Sequence, residues 1–334
     1  GIPIYLKPND YKKILDADKY YEIRINRSND NNYELPVTSE DIDIFLCHEG
    51  ERNSDKLLDT KTTRSFFPPF VHDTSRREYF VHIAHLKPKW TEQDPTSFLE
   101  LSIRMGITSS RVNASHSVTS ICSYGFTPDE GRIKSALAEK EKEWKSNTEL
   151  SEEEIDIRRS DWKLLDSKRI TKPNSFDFII RGIGIYTEVE IFTTACKILI
   201  SHLKILKEIF DNSRVVITAQ NPEKNNTDNL PKITLYKDDT VMDDNAFDFM
   251  FLNELHSCPI IIRMVTENYL NKSKKVLTYS GIYKSHPKSK YTTIRIIFKD
   301  KAECNDAIRI ISECINQSID IVEKVYTLSE SKLK

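Results

Sequence analysis

The sequence predicts an α+β protein in three parts: a strand-rich first half, then two strand–helix units that each end in a long amphipathic helix. Three observations carry this. Residues Asn174–Asp211 read as one strand turning into one long helix. Residues 232–334 repeat the order strand, helix, strand, helix. Between the two, Gln220–Pro231 is polar and Asn-rich, with a proline near each end, which is the composition of a linker. The predicted boundaries are therefore 1–173, 174–219, 220–231 and 232–334.

In chain order, candidate strands are Tyr20–Arg27, Tyr79–His85, Ser97–Gly106 and His116–Tyr124, separated by polar loops. Thr148–Lys168 is charged, with a helix start at Ser151 followed by three glutamates. Phe176, Phe178 and Ile180 alternate with Asp177, Ile179 and Arg181, the period-2 signature of a strand. Gly182 and Gly184 loosen the backbone, and Thr187 with Glu188 and Glu190 supplies a capped, acidic first turn. From Ile191 the apolar residues follow helical spacing over a face wide enough to want a partner helix. Val215–Thr218 reads as a return strand.

After the linker, Lys232–Tyr236, Phe247–Asn253, Val276–Tyr283 and Thr292–Phe298 read as strands. Pro259–Leu270 reads as a helix, with proline allowed in its first turn. Lys301–Val325 is a second long amphipathic helix. The two long helices are expected to pack face to face. Ile191, Ala195, Ile198, Leu199, Leu203 and Leu206 would meet Ile308, Ile311, Ile315, Ile319 and Val322.

Bulk properties narrow the function. A length of 334 residues exceeds one typical domain. A net charge of −2 with 30% charged residues argues against a general nucleic-acid-binding surface. The lysines at 272, 274, 275, 284, 288 and 290 read as solvated surface. No apolar run is long enough to span a membrane. The six cysteines are far apart and form no CxxC pair, so they read as reduced structural cysteines of an intracellular protein.

No constellation for catalysis stands out. His82 and His85, three apart in a predicted strand, are expected on opposite faces, which disfavours a metal site with His48 and His72. Gly182-Ile183-Gly184 lacks the remaining features of a dinucleotide-binding loop. There is no GxSxG, HExxH or P-loop, and no aspartate cluster of the kind that holds magnesium for nucleotidyl transfer. No catalytic residue, cofactor or metal site is therefore assigned.

Several segments, in the same order along the chain, resemble subunits of multisubunit RNA polymerases. The FDF strand, the small-residue turn and the long helix resemble the dimerisation domain of the α-like subunit: bacterial α, archaeal D and the third-largest eukaryotic subunit. Leu35–Ile42 resembles that family's segment ending in T-x-D-I, and Tyr79–Pro88 its strand ending in LxPG. Leu99–Gly106 with Arg111–Ser120 resembles its EAxAxxGxGxxHAKWSPV element, without the HAK. The second half is similar to the small partner subunit, archaeal L or the eleventh eukaryotic subunit. Asn245–Phe251 matches the first strand of that subunit. Glu254-Leu255-His256-Ser257 through Arg263 stands where it carries EDHTLGNLLR, and Gly281–Pro287 matches its GYxxPHP.

The resemblance implies a fused pair, of the kind encoded by large DNA viruses that transcribe in the cytoplasm. The implied fold is an insert domain plus two dimerisation domains forming an intramolecular pseudo-heterodimer, packed helix on helix. The implied function is a non-catalytic platform that docks the two largest polymerase subunits and small assembly subunits resembling the tenth and twelfth. Direct specific DNA contact and membrane association are not expected. Arg111, Asn113, Ser115, His116, His256 and His286 are the implied docking residues. The expected locations are the host cytoplasm and the virion, and the insert is expected to be metal-free. Gly1–Ile4 resembles the segment that follows the family's first dimerisation helix, so that helix would precede Gly1. The alternative reading is a free-standing module for single-stranded RNA or protein, with Tyr279, Tyr283 and Tyr291 as candidate aromatics.

Overall fold

The computed structural model describes residues 4–146, 150–218, 231–237, 241, 243–253, 257–271, 275–286 and 289–332. The chain divides into two units, Gly1–Glu188 and Val189–Lys334. Both mix helix and strand, so the α+β class holds. The division falls at the start of a helix, whereas the sequence placed it in the linker, whose residues 220–230 lie outside the described ones. The strand–helix unit read at Asn174–Asp211 is thereby split, its strand with the first half and its helix with the second.

The first unit opens with α1 (Pro8–Leu15), which starts on a proline that has no amide to leave unpaired. There follow β1 (Lys19–Asn29), β2 (Leu35–Thr38), β3 (Asp43–His48), β4 (Glu51–Leu57) and α2 (Thr60–Phe66). Next come β5 (Phe70–Val71), β6 (Glu78–Tyr79), β7 (His82–Leu86) and β8 (Ser97–Arg104). Strands β4-β3-β1-β8 form one sheet, with β1 antiparallel to both neighbours. Ile23 and Ile25 alternate inward onto a core with Tyr11, Val37, Ile44, Phe66 and Met105. Tyr11 is buried, and its hydroxyl donates to the Met105 carbonyl at 2.7 Å, so the ring fills the core without leaving an unpaired polar atom.

Strands β2 and β7 pair separately, with an irregularity between Val37 and Thr38 that leaves Ile83 unpaired. This bulge overturns one expectation. The rings of His82 and His85 lie 4.1 Å apart instead of on opposite faces, because an extra residue in one strand restores both to the same side.

The last part of the first unit is a ribbon. β9 (Thr119–Pro128) and β10 (Thr171–Gly182) pair antiparallel, with Phe176 opposite Phe126 and Phe178 opposite Tyr124. A helical hairpin, α3 (Glu130–Ser146) and α4 (Glu152–Leu164), is inserted between them. The α4 start follows the sequence reading: Ser151 and Glu154 cap each other reciprocally. The α3 helix had not been read. Asp129 accepts from the Arg132 amide at its start, and the rest is held by strong helix formers rather than an apolar stripe. Beyond the ribbon, Gly184 has φ +99°, and a β-carbon there would lie 2.6 Å from the Tyr5 hydroxyl. Only glycine fits this turn.

The second unit contains α5 (Glu188–Asp211, from Val189), β11 (Val216–Thr218), β12 (Ile233–Tyr236) and β13 (Ala246–Leu252). It continues through α6 (Ser257–Asn271), β14 (Leu277–Tyr283), β15 (Tyr291–Phe298) and α7 (Cys304–Lys332). The five strands form one sheet, ordered β11-β12-β13-β15-β14 and antiparallel except for the β11–β12 pair. Phe247, Phe249 and Phe251 alternate out of β13 into a single cluster that also takes residues from all three helices. Every one of these rings is fully buried. Full burial of such a side chain is worth about 1.5–3 kcal/mol, so this cluster dominates the stability of the unit.

The two long helices share the buried cluster and also meet through surface side chains. Lys204 pairs with Glu323 at 2.8 Å, and the Lys197 ammonium sits 5.3 Å over the Tyr326 ring. On α7, Ile311, Ile315, Ile319 and Val322 are buried and Ile308 is half-buried against the cluster. On α5 the burial is rotated from the predicted face. Leu203 and Leu206 are fully buried and Leu199 partly, but Ala195 is exposed, Ile198 is 53% exposed, and Ile191 is only half-buried. Phe192, Cys196 and Phe210 complete the buried stripe instead. The apolar arc of α5 is wider than the groove that receives it, and the sheet with α7 takes only one flank. No helix among the described residues is long and apolar enough to cross a membrane.

The rotation is measurable. Leu203→Ala is expected to destabilise by about 2–5 kcal/mol, whereas Ile198→Ala should stay within about 0.5 kcal/mol. Urea unfolding of the whole chain, followed through the second-unit helices, checks this; equal losses would refute the assigned face.

Candidate docking surfaces

The loop from β8 to β9 carries four of the six residues singled out for docking. Its composition is unusual, because no aspartate or glutamate occurs between Leu101 and Pro128. The loop holds its own shape. Ser109 accepts at its carbonyl from the amides of Val112 and Asn113, at 3.0 and 3.2 Å. The Asn113 side chain then accepts from the Ser115 amide and hydroxyl, at 3.0 and 2.9 Å, capping a short 3-10 turn over Ala114–His116. Ser117 donates to the Thr119 carbonyl at 2.9 Å, where β9 begins.

Asn113 and Ser115 are thus bonded to each other, while the turn stays exposed to solvent. Arg111, Asn113, Ser115 and His116 are all exposed on this one turn, and Val112 stands out at 78% exposure. Arg111 makes no ion pair among the described residues. The preceding arginine is already committed: Arg104 pairs with Glu49 and lies 4.1 Å from the Tyr20 ring centre. His286 belongs to the second unit, where its carbonyl accepts from the Ser289 amide at 2.9 Å. His256 lies outside the described residues. The structure thus brings four of the six together.

Beneath the loop is a cavity of about 210 Å³. Leu6, Met105, Val118, Ile183 and Tyr186 are among its walls, with His116 at the same site. The strand-to-helix turn that forms one wall is tied down by the Tyr5 hydroxyl, which donates to the Ile183 carbonyl at 3.0 Å, and by the Ile183 amide, which donates to the Val118 carbonyl at 3.3 Å.

A second exposed surface is one the sequence reading missed. Tyr124, Phe126, Phe176 and Phe178 share one face of the β9–β10 ribbon, with ring centres 5.0–6.2 Å apart. All four are exposed. The signal was present in the alternation Y-x-F and F-x-F, but alternation marks a buried face equally well. The tyrosines proposed as stacking residues behave differently: Tyr283 is half-buried and donates to Asp248 at 3.1 Å, Tyr291 is half-buried, and only Tyr279 is exposed.

Titratable clusters elsewhere are structural. On the first sheet, Arg24 bonds Glu22 at 2.9 Å and Asp55 at 2.5 Å. Arg24 and the Ser102 hydroxyl hold the Glu22 carboxyl down to about 2. Burial, reinforced by Asp55 and Glu22, pushes the neighbouring Cys47 thiol up to about 12, which suppresses thiolate chemistry. On the second sheet, Arg295 grips the buried Asp248 through Nε and Nη2, at 2.7 and 2.5 Å. Among the described residues no group of three or more His, Cys, Asp or Glu is arranged to hold a metal ion. Comparison with protein-family models and with curated proteins gives no match to this chain.

Two outcomes follow from these charges. The Glu22 carboxyl is lowered from its ordinary 4.5 to about 2 in the folded chain. Its stabilisation is therefore complete above pH 4.5 and lost as pH falls from 4.5 through 2. Glu22→Gln should lower stability at neutral pH and flatten this acid limb in an acid-unfolding series; parallel curves would contradict the assignment. Asp248→Ala leaves the partly buried Arg295 guanidinium without its carboxylate and should cost about 3–5 kcal/mol in chemical denaturation.

Proposed function

We propose that the chain is a non-catalytic assembly subunit of a DNA-directed RNA polymerase, combining an α-like half and an L-like half on one polypeptide. The observation that carries this reading is the shared burial of α5 and α7. These helices come from the two segments that resemble the two partner subunits, and they share one hydrophobic cluster. An obligate interface between separate subunits is apolar and often exceeds about 2,000 Å². Fusion would keep such helices together at a fixed one-to-one ratio and high effective concentration.

In this reading the pair forms a pseudo-twofold platform, and the Arg111–His116 loop faces the two largest subunits. The lineage proposed is a large DNA virus that transcribes in the cytoplasm, with the protein in the host cytoplasm and virion. The alternative RNA-binding reading has one observation in its favour, the exposed aromatic ribbon, since bases stack on such rings. Its charge speaks against it: Lys172 and Arg181 on β10 are accompanied by Asp177, and β9 carries no cation.

The test is affinity purification of the tagged chain from its native source, with mass spectrometry of whatever stays bound in high salt. Recovery of two large polymerase subunits near one-to-one is expected. The chain alone, or RNA that leaves in salt, would discard the polymerase reading.

A further inference from the structure

The cavity under the β8–β9 loop combines three properties. It is mostly apolar, it is small, and the loop that roofs it carries Arg111 and no carboxylate. Its volume, about 210 Å³, is below the roughly 300–1,000 Å³ of pockets for drug-sized ligands or cofactors. It is comfortably above the roughly 150 Å³ that accepts a benzene ring in an engineered apolar cavity. One phenyl or branched aliphatic group fits, and little more. Such a pocket is what a single anchor side chain at a protein interface fills.

The charge around it selects the flanks of that anchor. Arg111 is exposed and unpaired among the described residues, and the roof segment from Leu101 to Pro128 has no carboxylate at all. Of the nearby acids, Asp10 pairs with Lys13 at 3.0 Å, and Glu188 accepts from the Gly182 amide at 3.3 Å. Both are therefore partly engaged locally, and Arg181 adds a further exposed cation on the β10 side. A carboxylate-bearing segment meets unpaired positive charge here, whereas a basic one is repelled.

We infer that this cavity is an anchor site for one aromatic or branched aliphatic side chain of a partner protein, carried in a segment flanked by acidic residues. The inference rests on the docking role proposed above and specifies the chemistry of the segment docked. Affinity comes from desolvating the anchor among Leu6, Met105, Val118 and Ile183. Specificity comes from Arg111.

Met105 supplies a local reporter, because it lines the cavity and is one of only four methionines. The full chain, labelled with ¹³C at the methionine methyls, is titrated at low salt with a short synthetic peptide holding one phenylalanine between aspartates. A second peptide with lysines in place of the aspartates is the control. The Met105 resonance, assigned by Met105→Leu, should move saturably with the acidic peptide, while those of Met242, Met250 and Met264 stay. The lysine peptide should leave it in place. Arg111→Glu, on an exposed turn, should weaken the acidic peptide about tenfold or more, and Val118→Trp, which fills the cavity, should abolish the shift. If Val118→Trp does not fold, Arg111→Glu decides alone. An unmoved Met105, equal shifts with both peptides, or full binding by Arg111→Glu would overturn the inference. The measurement contains no polymerase subunit, so its failure is separable from failure of the co-purification experiment.

Discussion

The second unit depends on one constraint: three phenylalanines on alternate positions of β13 must be kept from water. A single sheet face cannot cover Phe247, Phe249 and Phe251, and three helices are drawn onto it. Leu203 and Leu206 of α5 and Ile311 and Ile315 of α7 are fully buried in the same cluster. The burial of α5 and α7 in one cluster and the split of the chain at the start of α5 follow from that constraint. The surface pairs Lys204–Glu323 and Lys197–Tyr326 then set the register on the solvent side. Pairs this exposed contribute little to stability and more to alignment.

Polar groups in both units are placed so that burial leaves few unpaired. In the first, Asn29 is fully buried; its side-chain nitrogen lies 2.9–3.1 Å from the carbonyls of Tyr33, Leu86 and Lys87, and its oxygen accepts from the Asn31 amide. One residue thus ties two loops together. In the second, Asp248 lies on the opposite side of β13 from the phenylalanines, where Arg295 and Tyr283 satisfy it. Burial together with the nearby Asp248 charge raises the Tyr283 phenol, keeping it a neutral donor. Such networks hold a strand register because a slip by one residue would place the carboxylate among the aromatics.

The surfaces left uncovered are equally specific. A two-stranded ribbon is marginal in isolation, yet β9–β10 presents four clustered aromatic rings on one face. The adjoining loop, stiffened by Asn113 and Ser109, presents arginine and histidine without a competing carboxylate. That loop lies over an apolar cavity of about 210 Å³.

Much of this was legible in the residues. Period-2 alternation marked β10, a capped acidic start marked α4, and helical spacing of apolar residues marked α5 and α7. The cavity beneath the Arg111–His116 turn was not legible, because its walls come from three distant segments. What the sequence determined by itself is the type and order of these elements, since periodicity is a local property of the chain. What only the tertiary structure decided is which way they face. The apolar arc of α5 spans more than one flank, so its orientation waits on what packs against it, and Ile198 is left outside while Phe192 goes in. A bulge at Ile83 likewise turned His82 and His85 toward one another, which no rule of strict alternation anticipates.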